Sequence, residues 1–244
     1  MLGGNKIVVK YVNAYDRALV QSGESLDKMG QLVEAQLTQA IQSFAVQDDQ
    51  MAHAVLARDD EVDALDESIE REALDLIALQ QPVDDDLRFL NATMRISREL
   101  ERISDYACDI AEAVFNLHQA TPFFKPLTDL TRMAVLVRTM LEKSLKAHFR
   151  KDLTAAREMD NDDRAVDDIF SVLLKELVDY MKERSEFIEQ ASVILLVARY
   201  LERIGDHVVN IAEMTIFAET GERHPFKMEK SHDNPPRITD INQG

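Results

Sequence analysis

Residues that break helices and residues that cross-link chains are both scarce here. A single cysteine, Cys108, in 244 residues excludes a disulfide framework and a cysteine-rich zinc site. Seven glycines and six prolines are too few for the turns of a parallel sheet or barrel of this length, and no glycine falls between Gly30 and Gly205. Basic side chains are outnumbered: 28 Lys plus Arg against 45 Asp plus Glu leaves a formal charge of −17. That charge repels phosphate backbones and anionic headgroups, and no strong local basic patch stands out in the sequence, so neither direct nucleic-acid binding nor flat binding to an anionic membrane is expected. Long apolar runs are missing too. Val193–Ala198 is the longest and ends at Arg199, so no segment is expected to span a bilayer. Met1 to Lys6 lacks the apolar core of a signal peptide. A cytoplasmic setting is the expectation.

What is present is a helical pattern. Apolar residues make up 45% of the chain, enough for a substantial core. Phe89, Thr93, Ile96, Leu100, Ile103, Ala107, Ile110, Val114 and Leu117 step by four and three, a seam on one helix face. Val55, Val62, Ile69 and Leu76 step by seven. Such spacing predicts an all-α chain of six long helices, over 16–46, 49–79, 85–118, 127–150, 153–182 and 186–219. Long helices joined by short links pack as antiparallel bundles. Ile7-Val8-Val9 reads as a short extended lead-in. The tail over 220–244, with Gly221, Pro225 and Pro235-Pro236, is expected to be loosely ordered.

The two halves repeat. Shifted by 104 residues, Leu26, Met29, Val33, Leu37 and Asp48 fall on Leu130, Met133, Val137, Leu141 and Asp152. At a shift of 101, Leu100-Glu101-Arg102-Ile103-Ser104-Asp105 falls on Leu201-Glu202-Arg203-Ile204-Gly205-Asp206, and the smaller shift implies a shorter link before the last helix. Agreement in polar as well as apolar residues makes this an internal repeat of three helices, over 14–120 and 122–219.

The repeat carries carboxylates. Glu101 and Asp105 are four apart on a helix, hence about 40° apart in azimuth, and Glu112 returns to the same stripe with Asp109 beside it. Glu202, Asp206 and Glu213 repeat the stripe, with Asn210 in place of Asp109. The second helix of each repeat offers Asp59 with Asp63, and Asp163 with Asp167. Oxygen ligands gathered this way suit hard ions such as magnesium, calcium, manganese or iron. The plainer alternative is a solvated face, with Arg98, Arg102, Arg199 and Arg203 forming i,i+3 ion pairs to the same acids. His207 could add a nitrogen ligand. His53, His118 and His148 form no ligand pattern, and Glu229-Lys230-Ser231-His232 is an isolated Glu-x-x-His in the tail. Cys108 reads as a buried structural thiol without a partner. Phosphate loops, nucleophile elbows and zinc-protease motifs are missing.

Residues 201–213, Leu-Glu-Arg-Ile-Gly-Asp-His-Val-Val-Asn-Ile-Ala-Glu, and their first-half copy 100–112 resemble the signature of the PhoU family of phosphate-signalling regulators. The resemblance covers about 14–219. It implies two pseudo-symmetric antiparallel three-helix bundles with multinuclear metal clusters of iron, magnesium, manganese or zinc on their surfaces. By it, Glu101, Asp105, Glu202 and Asp206 are the first candidate ligands. Asp59, Asp63, Asp163 and Asp167 fit a second acidic motif, with Asp109 and Asn210 as further candidates. It implies a homodimer with no enzymatic activity. Such a protein represses phosphate uptake and the phosphate-starvation response, between the ATPase of a phosphate ABC transporter and a membrane histidine kinase, and is recruited to the inner face of the membrane by these partners. Departures are Ser104 against Gly205, Asn210 against Asp109, a link at Glu183-Arg184-Ser185 without the counterpart of Pro82, and the long tail. A ferritin-like di-iron oxidase would need two Glu-x-x-His motifs facing inward, and the expected helices have none. A metal-free scaffold is the other alternative.

Overall fold

A computed structural model describes residues 14–117, 122–223 and 226. Among these, every regular element is helical and no strand occurs. The lead-in at 7–9, His118, the Glu229–His232 motif and nearly all of the tail lie outside the described residues. Six long helices carry the fold: α1 (Ala14–Val46), α3 (Asp59–Gln80), α4 (Asp84–Phe115), α5 (Thr128–Arg150), α7 (Met159–Glu183) and α8 (Ile188–Thr220). Two short ones, α2 (Asp49–Leu56) and α6 (Leu153–Arg157), precede α3 and α7.

The short helices correct the expectation of continuous helices over 49–79 and 153–182. Each begins at a matched N-cap. Asp48 Oδ1 accepts from the Met51 amide at 2.9 Å, and Asp152 Oδ1 accepts from the Thr154 and Ala155 amides at 3.1 Å each. Each then ends in a tight turn, through Ala57 (φ −67°, ψ −10°) and Glu158 (φ −72°, ψ −14°). The turn re-aims the following helix so that Val62 and Val166 reach the core at 0% exposure. No glycine or proline marks either break, because the turn angles are ones that any L-residue adopts. The last helix begins two residues later than expected, because Ser185–Phe187 forms a 3-10 turn where the first repeat uses Pro82.

α4 and α8, the third helices of the two repeats, form the most extensive pair and sit at the centre. α1 and α3 flank α4; α5 and α7 flank α8. The bundles share one continuous core, in which Leu26, Met29 and Val33 of α1 meet Ile96, Leu100 and Ile103 of α4, and the counterparts Leu130, Met133 and Val137 meet Val197, Leu201 and Ile204. Gly30 lets α1 pass close to α5: a Cβ there would lie 2.8 Å from a methyl of Leu145.

Leu100→Ala and Leu201→Ala are each expected to cost about 2–5 kcal/mol, since both side chains are buried in the shared core. Asp48→Ala and Asp152→Ala are each expected to cost about 1 kcal/mol by removing a cap. Urea denaturation followed by circular dichroism checks both pairs. Equal costs for caps and core leucines would contradict this packing.

Candidate metal centre

Leu100 and Glu101 are neighbours on α4, and burying the first carries the second to the margin of the core. The Glu101 side chain is only 12% exposed. Arg98 and Arg102 hold it from either side. Arg98 Nη1 donates to Glu101 Oε1 at 3.0 Å and reaches Asp66 Oδ2 at 3.5 Å. Arg102 Nη1 donates to Asp105 Oδ2 at 3.0 Å, while its Nε stays 3.5 Å from Glu101 Oε2. Glu101 Oε2 is buried and accepts no hydrogen bond. Burial first, then the charge of Asp105, raises the Glu101 carboxyl above its usual range against the pull of Arg98 and Arg102. On α3, Asp63 is raised likewise, by desolvation first and then by Asp59 and Asp105.

Asp59 stands at the inner edge of this junction in a small polar network. Ser104 Oγ lies 2.7 Å from Gln36 Oε1 and 3.3 Å from Asp59 Oδ1. Gln36 donates through Nε2 to the Val55 carbonyl and to Cys108 Sγ, both at 3.3 Å. Cys108 Sγ is 3.4 Å from Asp59 Oδ1. The thiol is therefore not partnerless as expected; α1 and α3 bring polar groups to it that lie far off in sequence. Burial pushes the thiol well above its ordinary range, which leaves it protonated.

The second repeat keeps the acids and changes their surroundings. Arg199 Nη1 donates to Glu202 Oε1 at 2.8 Å, and Arg203 Nη1 donates to Asp206 Oδ2 at 3.0 Å. Glu202 Oε2, like its counterpart, is buried without a hydrogen bond, with Arg203 Nε at 3.7 Å. Burial, then Asp206, raises the Glu202 carboxyl. Phe170 replaces Asp66, and the Arg199 guanidinium lies 5.7 Å from its ring centre. Ala198 replaces Ser97, the donor to Asp66 at 2.7 Å in the first repeat. Met140, Gly205 and Val209 replace Gln36, Ser104 and Cys108. Asp163 is 1% exposed and sits against Gly205, where a Cβ would lie 2.9 Å from Asp163 Oδ1. Asp167 adds its charge to the field at Glu202.

So the α3–α4 junction gathers Asp59, Asp63, Glu101 and Asp105, and the α7–α8 junction gathers Asp163, Asp167, Glu202 and Asp206. Asp109 stays in the electrostatic field of the first set, while Asn210 bonds across the helix pair. Asn210 Nδ2 donates to Glu99 Oε2 at 2.9 Å across the α4–α8 pair, and burial first, then the charges of Glu112 and Asp105, raises the Asp109 carboxyl. His207 also meets Glu99, with Nδ1 2.7 Å from Oε2, so this ring ties α8 to α4. His148 is buried beside Thr215, and burial lowers it to about 4, so it is neutral at pH 7. Sequence reading missed Asp66, Gln36 and Glu99. Asp66, three residues after Asp63, carried a spacing signal; the other two act only across helices.

As the side chains stand, no group of three His, Cys, Asp or Glu among the described residues is arranged to hold a metal ion. The arginines occupy the carboxylates instead. The donor set nevertheless fits a hard cation: every candidate acid offers oxygen, and the same buried Oε2 lacks a hydrogen bond in both repeats.

Comparison with known proteins places both repeats in one group. A family model described as the PhoU domain matches residues 26–114 and again 130–215. The chain is 37% identical over 211 residues to the phosphate-specific transport system accessory protein PhoU homolog of Caulobacter vibrioides, covering 86% of this chain and 92% of that protein. It is 33% identical over 210 residues to the homolog of Clostridium acetobutylicum, covering 86% and 95%. The crystal structure of PhoU from Pseudomonas aeruginosa superposes with a TM-score of 0.82 at 30% identity, over 85% of this chain and 100% of that one. That of the phosphate transport system regulatory protein PhoU from Streptococcus pneumoniae gives 0.81 at 29%, over 86% and 99%.

Each junction is fitted to its own residue at the Ser104 or Gly205 position, for a different reason. Gly205→Ser is expected to cost about 1–3 kcal/mol, because its Cβ crowds a buried carboxylate. Ser104→Gly is expected to cost a similar amount, about 1–3 kcal/mol, by leaving Gln36 Oε1 without its donor. Chemical denaturation of both variants checks this, and a stabilised Gly205→Ser would contradict the close approach.

Proposed function

The chain belongs to the PhoU family, and from that membership we propose that it is an accessory regulator of phosphate-specific transport. In this reading it is a non-enzymatic, metal-binding adaptor that restrains phosphate uptake and phosphate-starvation signalling. Its partners are the ATPase subunit of a phosphate ABC transporter, a membrane histidine kinase and a second copy of itself. The observation that carries the reading is the match of the family model to both repeats, with the Glu-x-x-x-Asp motif on the third helix of each. No helix among the described residues is long and apolar enough to cross a membrane. Membrane recruitment in this reading comes from partners.

Glu101 and Asp105 with Asp59 and Asp63 would hold one cluster of ions, and Glu202 and Asp206 with Asp163 and Asp167 the other. Such ions would supply the positive charge that lets these crowded carboxylates ionise together. One observation favours the metal-free alternative: the four arginines already pair with the same acids. Removal of an arginine separates the two. If the arginines are stand-ins, Arg102→Gln and Arg203→Gln tighten metal binding; if they are the whole story, no metal binds in either case.

The pH dependence has a definite sign. Glu101 and Glu202 are raised in the folded chain, so the metal-free protein pays a folding penalty that is fully present at neutral pH. It is relieved as pH falls through the raised values towards the ordinary range near about 4.3. Protons compete with metal over that same window, so calorimetric titration with manganese is expected to show affinity level near neutral pH and falling as pH drops through the raised values towards about 4.3 (roughly tenfold per unit at most for one competing proton). Binding that is flat with pH would contradict the assignment to these acids. In cells, gene deletion is expected to raise phosphatase expression in phosphate-rich medium. Unchanged expression would contradict the adaptor role.

A further inference from the structure

We propose that the outer face of α5 is a docking surface for an acidic helical segment of a partner protein. Over residues 128–151 six side chains are basic and two acidic, in a chain whose formal charge is −17. The corresponding stretch of the first repeat, residues 24–47, has one basic and three acidic. The basic excess is thus an addition to the repeat and not part of its shared pattern. It lies on one face: Arg132, Val135, Arg138, Lys146, Phe149 and Arg150 are all exposed. Where α5 has Val135, Arg138 and Lys146, α1 has Gln31, Glu34 and Gln42.

The basic groups on this face are not used up by the fold. Arg132, Arg138 and Arg150 enter no ion pair among the described residues, and Lys146 pairs only with Glu142, one turn away on the same helix. Val135 and Phe149 stand among them at 51% and 39% exposure. Along the helix Val135, Thr139, Glu142, Lys146 and Phe149 step by four and three, the spacing of a helix-packing seam. The face is about 27 Å long from residue 132 to 150.

Charge and shape select the occupant. A flat anionic bilayer wide enough to reach α5 would also meet the acidic flanks of the chain, where Glu158 and Asp162 gather around Lys143. One helix, about 10 Å wide, can cover the α5 ridge alone. Its apolar side chains would meet Val135 and Phe149, and its carboxylates the three guanidiniums that enter no ion pair, Arg138 acting only at longer range on Glu142 of its own helix, and these offer bidentate donors. The surface thereby gives the adaptor reading a partner-facing side. It rests on that reading for the existence of a partner and is independent of any metal.

The test places a photoreactive amino acid at Thr139, exposed on this face, in the full chain in its own cells, and maps the cross-linked peptides by mass spectrometry. The expected adduct is a protein segment with an acidic excess and helical apolar spacing. Arg138→Glu/Lys146→Glu is expected to lower its yield roughly tenfold, while Gln31→Glu/Gln42→Glu on α1 leaves it unchanged. Circular dichroism shows that both double variants fold. A lipid adduct, no protein adduct, a segment without acidic excess, or full yield from the α5 variant each overturns the inference. Gene deletion decides the adaptor reading separately. If deletion raises phosphatase expression while Thr139 yields no protein adduct, this surface fails and the adaptor reading stands. If deletion changes nothing, the adaptor reading fails whatever Thr139 captures.

Discussion

Burying Leu100 and Leu201 fixes where Glu101 and Glu202 must go. Adjacent residues on a helix are about 100° apart, so a leucine at the centre of a core seam sets the next side chain at its edge. There a carboxylate is neither free in water nor sealed in the interior. It is desolvated enough to be raised in pKa and exposed enough to be reached by an ion. Two arginines per repeat compensate it in the metal-free chain, and they do so incompletely, since one oxygen of each glutamate stays without a hydrogen bond. The pairing of α4 with α8 puts both of these positions on the central helices, so the acidic junctions are fixed to the most constrained part of the fold.

The two repeats solve the same problem by different means. In the first, Asp59 is embedded among polar groups, Ser104, Gln36 and Cys108, and Asp66 adds a carboxylate held by Ser97. In the second, all of these become small or apolar: Gly205, Met140, Val209, Phe170 and Ala198. Ser104 changes together with its acceptor Gln36, and Ser97 with its acceptor Asp66, so neither pair leaves an acceptor behind, whereas the acid Asp59 is kept as Asp163. The first junction is the more polar and the more acidic. The second makes Asp163 tolerable by giving it the space beside Gly205. The loss of Asp109 to Asn210 has a separate explanation: an amide can donate to Glu99 across the α4–α8 pair, whereas a carboxylate would repel it.

The helical class, the repeat and the core seams were legible in the sequence because heptad spacing and a lack of breakers are local signals. The residues Leu26, Ile96, Leu100, Ile103 and their counterparts are buried as their spacing requires. The i,i+3 pairs of Arg98 and Arg199 were legible for the same reason. The breaks after Leu56 and Arg157 were not, since ordinary residues make those turns. Gln36, Glu99 and the partners of Cys108 were illegible because these contacts join residues 49 to 108 apart in the chain, and no spacing rule reaches across helices. The basic face of α5 was hidden by the net charge, which averages over the very asymmetry between repeats that makes the face distinct.

Of the −17 charge, eight units belong to Asp59, Asp63, Glu101, Asp105, Asp163, Asp167, Glu202 and Asp206, which leaves −9 for the rest of the chain. The central claim is that these eight are cation sites and not merely a soluble surface. Inductively coupled plasma mass spectrometry on chain purified without chelator tests it most directly, alongside the variant Glu101→Ala/Glu202→Ala. The account predicts at least about one hard metal ion per repeat in the wild-type chain and a loss of most of it in the variant. A wild-type chain carrying no more metal than the variant would contradict it.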